Sequence, residues 1–365
     1  MTEPDPESVP RVLHVMADPR PYGPQRLARD LHAELRRRGR PSELCALTPD
    51  ALAAAGRAVL GSTRHHPAAL RALRAAARRA DVVVAHGAGA LPACAVAVFG
   101  TGRPYVSAGL DTPRRWTAGR GSRLRTGLLL RRAGAVTAPA EGARAVLLER
   151  FRLAPDQVVT LPDARAADRY PPAVNAADRR AARASLGLPP YGPLVAWVGA
   201  LDAGRRPDLA VRVAAGVPGV HLALAGSGPL AVPAAPGVTL LGELPDPATL
   251  YRAADALLLT SAPGAGAGLP GVLIEAALAG LPCAATDVGW VREVVRPGIT
   301  GGLARHDDPA ALSAALDSVL AGAGTLGPRA RAHALARFEL AVVTDAWELL
   351  LAAVAAGCRP GRAIS

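Results

Sequence analysis

Short apolar runs alternate along this chain with glycine- or proline-bearing loops and with leucines at helical spacing, and the whole pattern occurs twice. Arg11-Val-Leu-His-Val-Met16 reads as a first strand and Ser42 to Leu47 as a second. Asp81-Val-Val-Val-Ala85, ending at His86, reads as a third, and Val106, Val136 and Val158-Val159 lie in weaker candidates. After the first strand, a loop carrying Pro19, Pro21, Gly23 and Pro24 leads into Leu27, Leu31 and Leu35, and Gly39 closes that helix. Pro171-Pro172 and the polar stretch Asn175 to Arg180 read as a linker, after which the pattern restarts. Strands are predicted at Leu194 to Val198, Val220 to Ala225, Val238 to Leu241, Ala256 to Leu259 and Pro282 to Ala285, with helices at Asp208 to Ala215 and from about Gly271 to Ala279. Strands that alternate with helices form parallel, doubly wound sheets. Two Rossmann-like domains in tandem, 1–172 and 173–340, predict a cleft outside the carboxyl ends of both sheets, where open α/β sheets bind ligands.

The 365 residues suit two cores better than one. Half of them are apolar but only 3% are aromatic, so those cores are built from Ala, Val and Leu. All the basic residues are arginine, and the net charge of +12 lies wholly in residues 1–172, which hold 27 arginines against 15 acids. A basic half beside a neutral half predicts that one domain meets something anionic. Cys45, Cys94, Cys283 and Cys358 lie far apart with no C-x-x-C pair, which argues against a zinc site or a redox pair and fits reduced thiols in a cytoplasm. The acidic, proline-rich start is unlike a signal peptide, and no apolar run approaches the ~20 residues that span a bilayer. A soluble or peripheral cytoplasmic protein is expected.

Ser261-Ala-Pro-Gly-Ala-Gly-Ala-Gly-Leu-Pro-Gly-Val-Leu-Ile-Glu-Ala276 carries the chemistry. It runs from a strand through a glycine-rich loop into a helix, with one carboxylate about a turn inside. Glycines let a backbone approach a phosphate, and a helix start offers unpaired N–H groups and the positive end of the dipole. Glu275 could accept hydrogen bonds from both hydroxyls of a ribose. A plain loop ahead of a helix whose Glu is salt-bridged gives the same pattern.

Residues 261–301 resemble the donor-binding signature of the family 4, or group 1, GT-B glycosyltransferases. The resemblance rests on Gly268-Leu-Pro270, Val272-Leu-Ile-Glu275-Ala276, Gly280-Leu-Pro282, Thr286-Asp-Val-Gly289, Glu293 and Gly298-Ile-Thr-Gly301. Leu161-Pro162 through Pro172, Val198-Gly199 with Leu201-Asp202, and Asp81 to His86 resemble other elements of that family more loosely. The resemblance implies a GT-B fold, two Rossmann-like domains facing each other across a cleft, with a final helix in 341–365 packed back on the first domain. It implies a retaining hexosyltransferase that uses a nucleotide-diphosphate sugar as donor and a glycan, lipid-linked or small-molecule acceptor. By the same resemblance Glu275 holds the donor ribose, and the turn at Gly268, Leu269 and Pro270 presents amides to the phosphates. Arg205 stands where the family's lysine neutralises the leaving diphosphate, Gly199 belongs to the same loop, Gly23 lies near the first domain's glycine loop, and His86 ends its strand near the transferred sugar. No Asp-x-Asp motif occurs, so no obligatory metal or other cofactor is expected.

The chain also departs from the pattern. The first Glu of the family's E-x7-E motif is Ala267, the Arg of G-R-L is Ala200, and the second Gly of V-G-G is Trp290. A non-catalytic relative acting as a binding or partner subunit is the alternative those departures leave open. Elsewhere, Arg114, Arg115, Arg120, Arg123, Arg125, Arg131 and Arg132 crowd one segment with Trp116 and no acid between them. That segment reads either as a solvated helix face or as a contact with an anionic membrane surface. Nucleic acid is not expected, because stacking aromatics are scarce. Gly226-Ser-Gly228 reads as a phosphate loop or as a strand-to-loop turn.

Overall fold

The computed structural model describes residues 9–18, 23–48, 58–60, 66–109, 119–265 and 268–362. The chain divides into two compact units, Met1–Ala164 with Leu340–Ser365, and Arg165–Glu339. The first crossing therefore lies upstream of the predicted boundary at Pro172. The reason is local: the Arg165 amide donates to the Phe338 carbonyl at 2.9 Å, and Tyr170 is already buried in the second unit's core.

In the first unit the strands are β1 (Val12–Met16), β2 (Ser42–Ala46), β3 (Ala58–Val59), β4 (Val82–His86), β5 (Tyr105–Ala108), β6 (Ala135–Ala138) and β7 (Val158–Thr160). They pair in parallel in the order β3-β2-β1-β4-β5-β6-β7. The helices are α1 (Pro24–Arg37), α2 (Pro67–Arg79), α3 (Leu91–Val98), α4 (Arg120–Arg132) and α5 (Glu141–Phe151). β1 and β4 are buried along their whole length, as expected of central strands covered on both faces.

The second unit holds β8 (Leu194–Val198), β9 (His221–Ala225), β10 (Val238–Gly242), β11 (Ala256–Leu259), β12 (Cys283–Thr286) and β13 (Gly301–Ala304), in the order β10-β9-β8-β11-β12-β13, again all parallel. Around that sheet lie α6 (Ala176–Ser185), α7 (Pro207–Ala215), α8 (Ala248–Ala253), α9 (Gly271–Leu278), α10 (Pro309–Ala321) and α11 (Ala323–Phe338). In each sheet the strand order reverses between the first and fourth strands, so β1/β4 and β8/β11 flank the two topological switch points.

The last helix, α12 (Leu340–Ala355), belongs to the first unit. Trp347, Leu350 and Val354 are buried along its inner face, and it packs against α1. Arg38 bonds Asp345 at 2.6 Å and Arg40 bonds Glu348 at 2.8 Å, which fixes the register of that contact.

Candidate functional site

In the second unit, the loops that leave β8 and β11 are stitched together at the switch point. The Ala262 amide donates to the Gly204 carbonyl at 2.8 Å. The Trp197 indole N–H donates to Thr260 Oγ1 at 2.9 Å, and that hydroxyl lies 2.8 and 2.9 Å from the carbonyls of Arg205 and Arg206. Arg206 sits in the left-handed region at φ 55°, uncommon for a residue with a side chain, and starts α7 from there. The turn is thereby fixed from both sides. Its half-buried Arg205 guanidinium bonds Ser261 Oγ at 3.2 Å, where the glycine-rich loop begins.

Gly199 leaves β8 and its amide donates to the Ala225 carbonyl at 3.0 Å. A side chain at Gly226 would collide with the Gly199 carbonyl, and one at Gly228 with the Leu201 carbonyl. The Gly-Ser-Gly turn is therefore a close crossing of two backbones, which accounts for both glycines without a phosphate.

Gly268 is half-buried, Leu269 turns its side chain into the core, and Pro270 immediately precedes α9. Among the described residues no side chain caps α9 and no acid lies in its first turn. The first amides of a helix have no partner inside it, so this end is electropositive. Gly266 and Ala267, the latter at the position of the family's first Glu, lie outside the described residues. Ala200 is exposed, and Trp290 packs on the unit's core beside Val288.

Glu275 takes the salt-bridged form that the sequence left open beside the ribose-binding one. It is 4% exposed, takes the Arg165 Nε–H on Oε1 at 2.9 Å and the Tyr251 hydroxyl on Oε2 at 3.2 Å. Arg165 is equally buried, and its guanidinium lies so close over Gly271 that any side chain there would collide with it. Both carboxylate oxygens thus hold protein partners, and a cation covers the first residue of α9. Burial, with the Glu275 charge beside it, pushes the Tyr251 hydroxyl well above the usual phenol range, so it stays a neutral donor. Sequence spacing gave no sign of Arg165 or Tyr251. The only hint was that Arg165 falls inside the loosely matching element before the linker.

In the first unit, Gly23 (φ 47°) lies just ahead of α1 and accepts from the Arg26 amide at 3.0 Å. Pro24 lies against Gly87 and Gly109, so the loops after β1, β4 and β5 converge at that unit's switch point. Pro19 and Pro21 lie outside the described residues. His86 is corrected in its turn. Its ring is fully buried, bonds His14 Nδ1 through Nε2 at 2.9 Å and stacks at a tilt near Trp347. Burial pushes its pKa down to about 3, and the same cause, helped by His86, holds His14 well below the ordinary 6.5. His86 is a neutral core residue, not a group presented to a substrate.

Comparison with known proteins agrees with this architecture. Residues 21–168 match the family model described as Glycosyltransferase Family 4, and residues 192–322 match that of the Glycosyl transferases group 1. Over 189 residues the chain is 37% identical to the D-inositol 3-phosphate glycosyltransferases of Mycobacterium tuberculosis and Mycobacterium bovis. That match covers 46% of this chain, and the chain spans only 39% of those relatives' length. Among solved structures, Anabaena Alr3699/HepE in complex with UDP and glucose superposes with a TM-score of 0.76 at 19% identity, over 92% of this chain and 97% of that one. A glycosyltransferase from Rickettsia africae gives 0.78 at 13% identity, over 94% and 98%. At such identities the likeness speaks to the fold, which is GT-B. With the two family models together matching most of the chain, the chain belongs to the family 4, group 1 glycosyltransferases.

Proposed function

We propose that this protein transfers a hexose from a nucleotide-diphosphate sugar to a glycan, lipid-linked or small-molecule acceptor, with retention at the anomeric carbon. The observation that carries the reading is the Arg205 guanidinium held at Ser261, at the mouth of a glycine-rich loop that runs into the uncapped start of α9. A permanent cation, the start of a glycine-rich loop and the positive end of a helix dipole lie at the same edge of the sheet, by its switch point. That combination suits a diphosphate leaving group. The relatives named as glycosyltransferases, and HepE with UDP and glucose, support a nucleotide-sugar donor.

In this mechanism the acceptor hydroxyl attacks the face from which the diphosphate departs, and the leaving phosphate takes the hydroxyl proton. The C1–O bond to the phosphate breaks as the bond to the acceptor oxygen forms. No protein nucleophile is needed, so the protein contributes positioning and stabilisation of phosphate charge. Arg205 and the amides near Gly268 and Leu269 carry that charge. Glu275, which the family resemblance assigns to the ribose, acts there through Arg165, which its carboxylate positions.

The Arg165–Glu275 pair favours a second reading, a GT-B subunit that no longer transfers sugar, because it occupies the carboxylate expected to serve the ribose. Nucleoside diphosphate release from a panel of UDP-, GDP- and ADP-hexoses separates the two. Release that disappears in Arg205→Ala supports transfer, and binding of the nucleotide without any release supports the second reading.

A further inference from the structure

We propose that the α3–α4 face of the first unit docks on an anionic lipid bilayer. α3 and α4 pack side by side. On α4, Leu124 and Leu128 are one helical turn apart and are 64% and 51% exposed. At the end of α3, Val96 and Phe99 are 56% and 69% exposed. Soluble domains scatter exposed apolar side chains singly, whereas here four large ones project from two adjacent helices.

Every charge that α4 itself carries is positive. Arg125, Arg131 and Arg132 are exposed and flank the two leucines on the helical wheel, while Arg123 lies farther round. Arg131 and Arg123 reach only backbone carbonyls, of Phe151 and Arg150, and Arg125 and Arg132 make no ion pair with any described residue. Between Asp81 and Glu141 the sequence holds eight arginines and a single acid, Asp111. Arg114, Arg115 and Trp116 lie just ahead of α4 and outside the described residues.

Apolar side chains bordered on α4 by exposed arginines fit an interface with acyl chains inside and phosphate headgroups around. A nucleic acid would answer the arginines but not the leucines. A second copy of the chain would bring the same arginines against themselves. The bilayer satisfies both features.

Co-sedimentation of the full chain with vesicles of phosphatidylcholine alone, and of phosphatidylcholine mixed with phosphatidylglycerol, tests this. Binding is expected to the mixed vesicles only and to weaken at high salt. Arg125→Ser with Arg132→Ser is expected to lower the partition coefficient about 25-fold, from about fivefold per basic residue. Leu124→Ser with Leu128→Ser is expected to lower it at least about tenfold while nucleotide binding in the second unit persists. No binding to the mixed vesicles overturns the proposal. So does binding indifferent to the leucine pair, or tight binding to duplex DNA that those leucines do not affect. A dimer dissolved by the leucine substitutions would make the face a self-interface and overturn it equally.

Discussion

Replacing Glu275 with alanine separates two roles that one carboxylate could play. Arg165 and Glu275 are both about 4% exposed, and the Nε–Oε1 bond is 2.9 Å. Removing one partner of a buried pair leaves the other charge unanswered, at a cost of about 3–5 kcal/mol. Tyr251 would also lose its acceptor, adding roughly 1–3 kcal/mol if no water replaces it. At roughly 2–4 °C per kcal/mol for a unit of this size, the unit's thermal midpoint should fall by at least about 6 °C. Removing both charges at once, with Arg165→Met and Glu275→Leu, should recover most of that loss, since apolar replacements of buried pairs are often neutral or stabilising. Calorimetric scans of the three variants give the coupling, and nucleoside diphosphate titration of each gives the function. If Glu275→Ala leaves the midpoint within about 2 °C of the wild type yet abolishes nucleotide binding, the carboxylate serves the ligand alone. The buried ion pair would then be refuted as a structural element.

The geometry carries two more expected outcomes. Thr260→Val should loosen the Arg205 turn, because the Trp197 N–H and two carbonyls lose their partner. The expected destabilisation is about 1–3 kcal/mol in urea, with weaker nucleotide binding, and an unchanged midpoint would contradict the pinned turn. Stability of the first unit should fall as pH drops below 6.5. His14 and His86 stay neutral when folded but take up protons once unfolded, so the unfolded state binds more protons and each ring costs up to about 1.4 kcal/mol per pH unit, for His86 until about pH 3. Urea midpoints at pH 7 and pH 5, a window above the carboxylates, check this, and equal midpoints would mean the rings are not buried neutral.

Much of the fold was legible because its strands are unbroken apolar runs. Val12–Met16, Val82–His86 and Leu194–Val198 could hardly be anything but central strands of parallel sheets. β13, Gly301–Ala304, was hidden by its two glycines, and α11 by an alanine-rich face with Pro328 inside it. At the site, the loop from Ser261 was legible because it follows strand β11, and Arg205 because it stands where the resembled family carries a lysine. The pairing of Glu275 with Arg165 spans 110 residues and leaves no trace in local spacing. His86 misled for a related reason. A histidine at a strand end reads the same whether the strand opens to solvent or is covered, and here Trp347, from the far end of the chain, lies over it.

The central claim is that a diphosphate sits at the β8/β11 switch point, between Arg205 and the start of α9. Isothermal titration of UDP, GDP and ADP into the wild type and into Arg205→Ala measures it most directly. At least one nucleotide should bind, and the substitution should weaken it by about 1.5–3 kcal/mol, roughly 10- to 150-fold, the worth of a charge-assisted hydrogen bond. A nucleotide that binds both proteins equally would place the phosphates elsewhere and contradict the account.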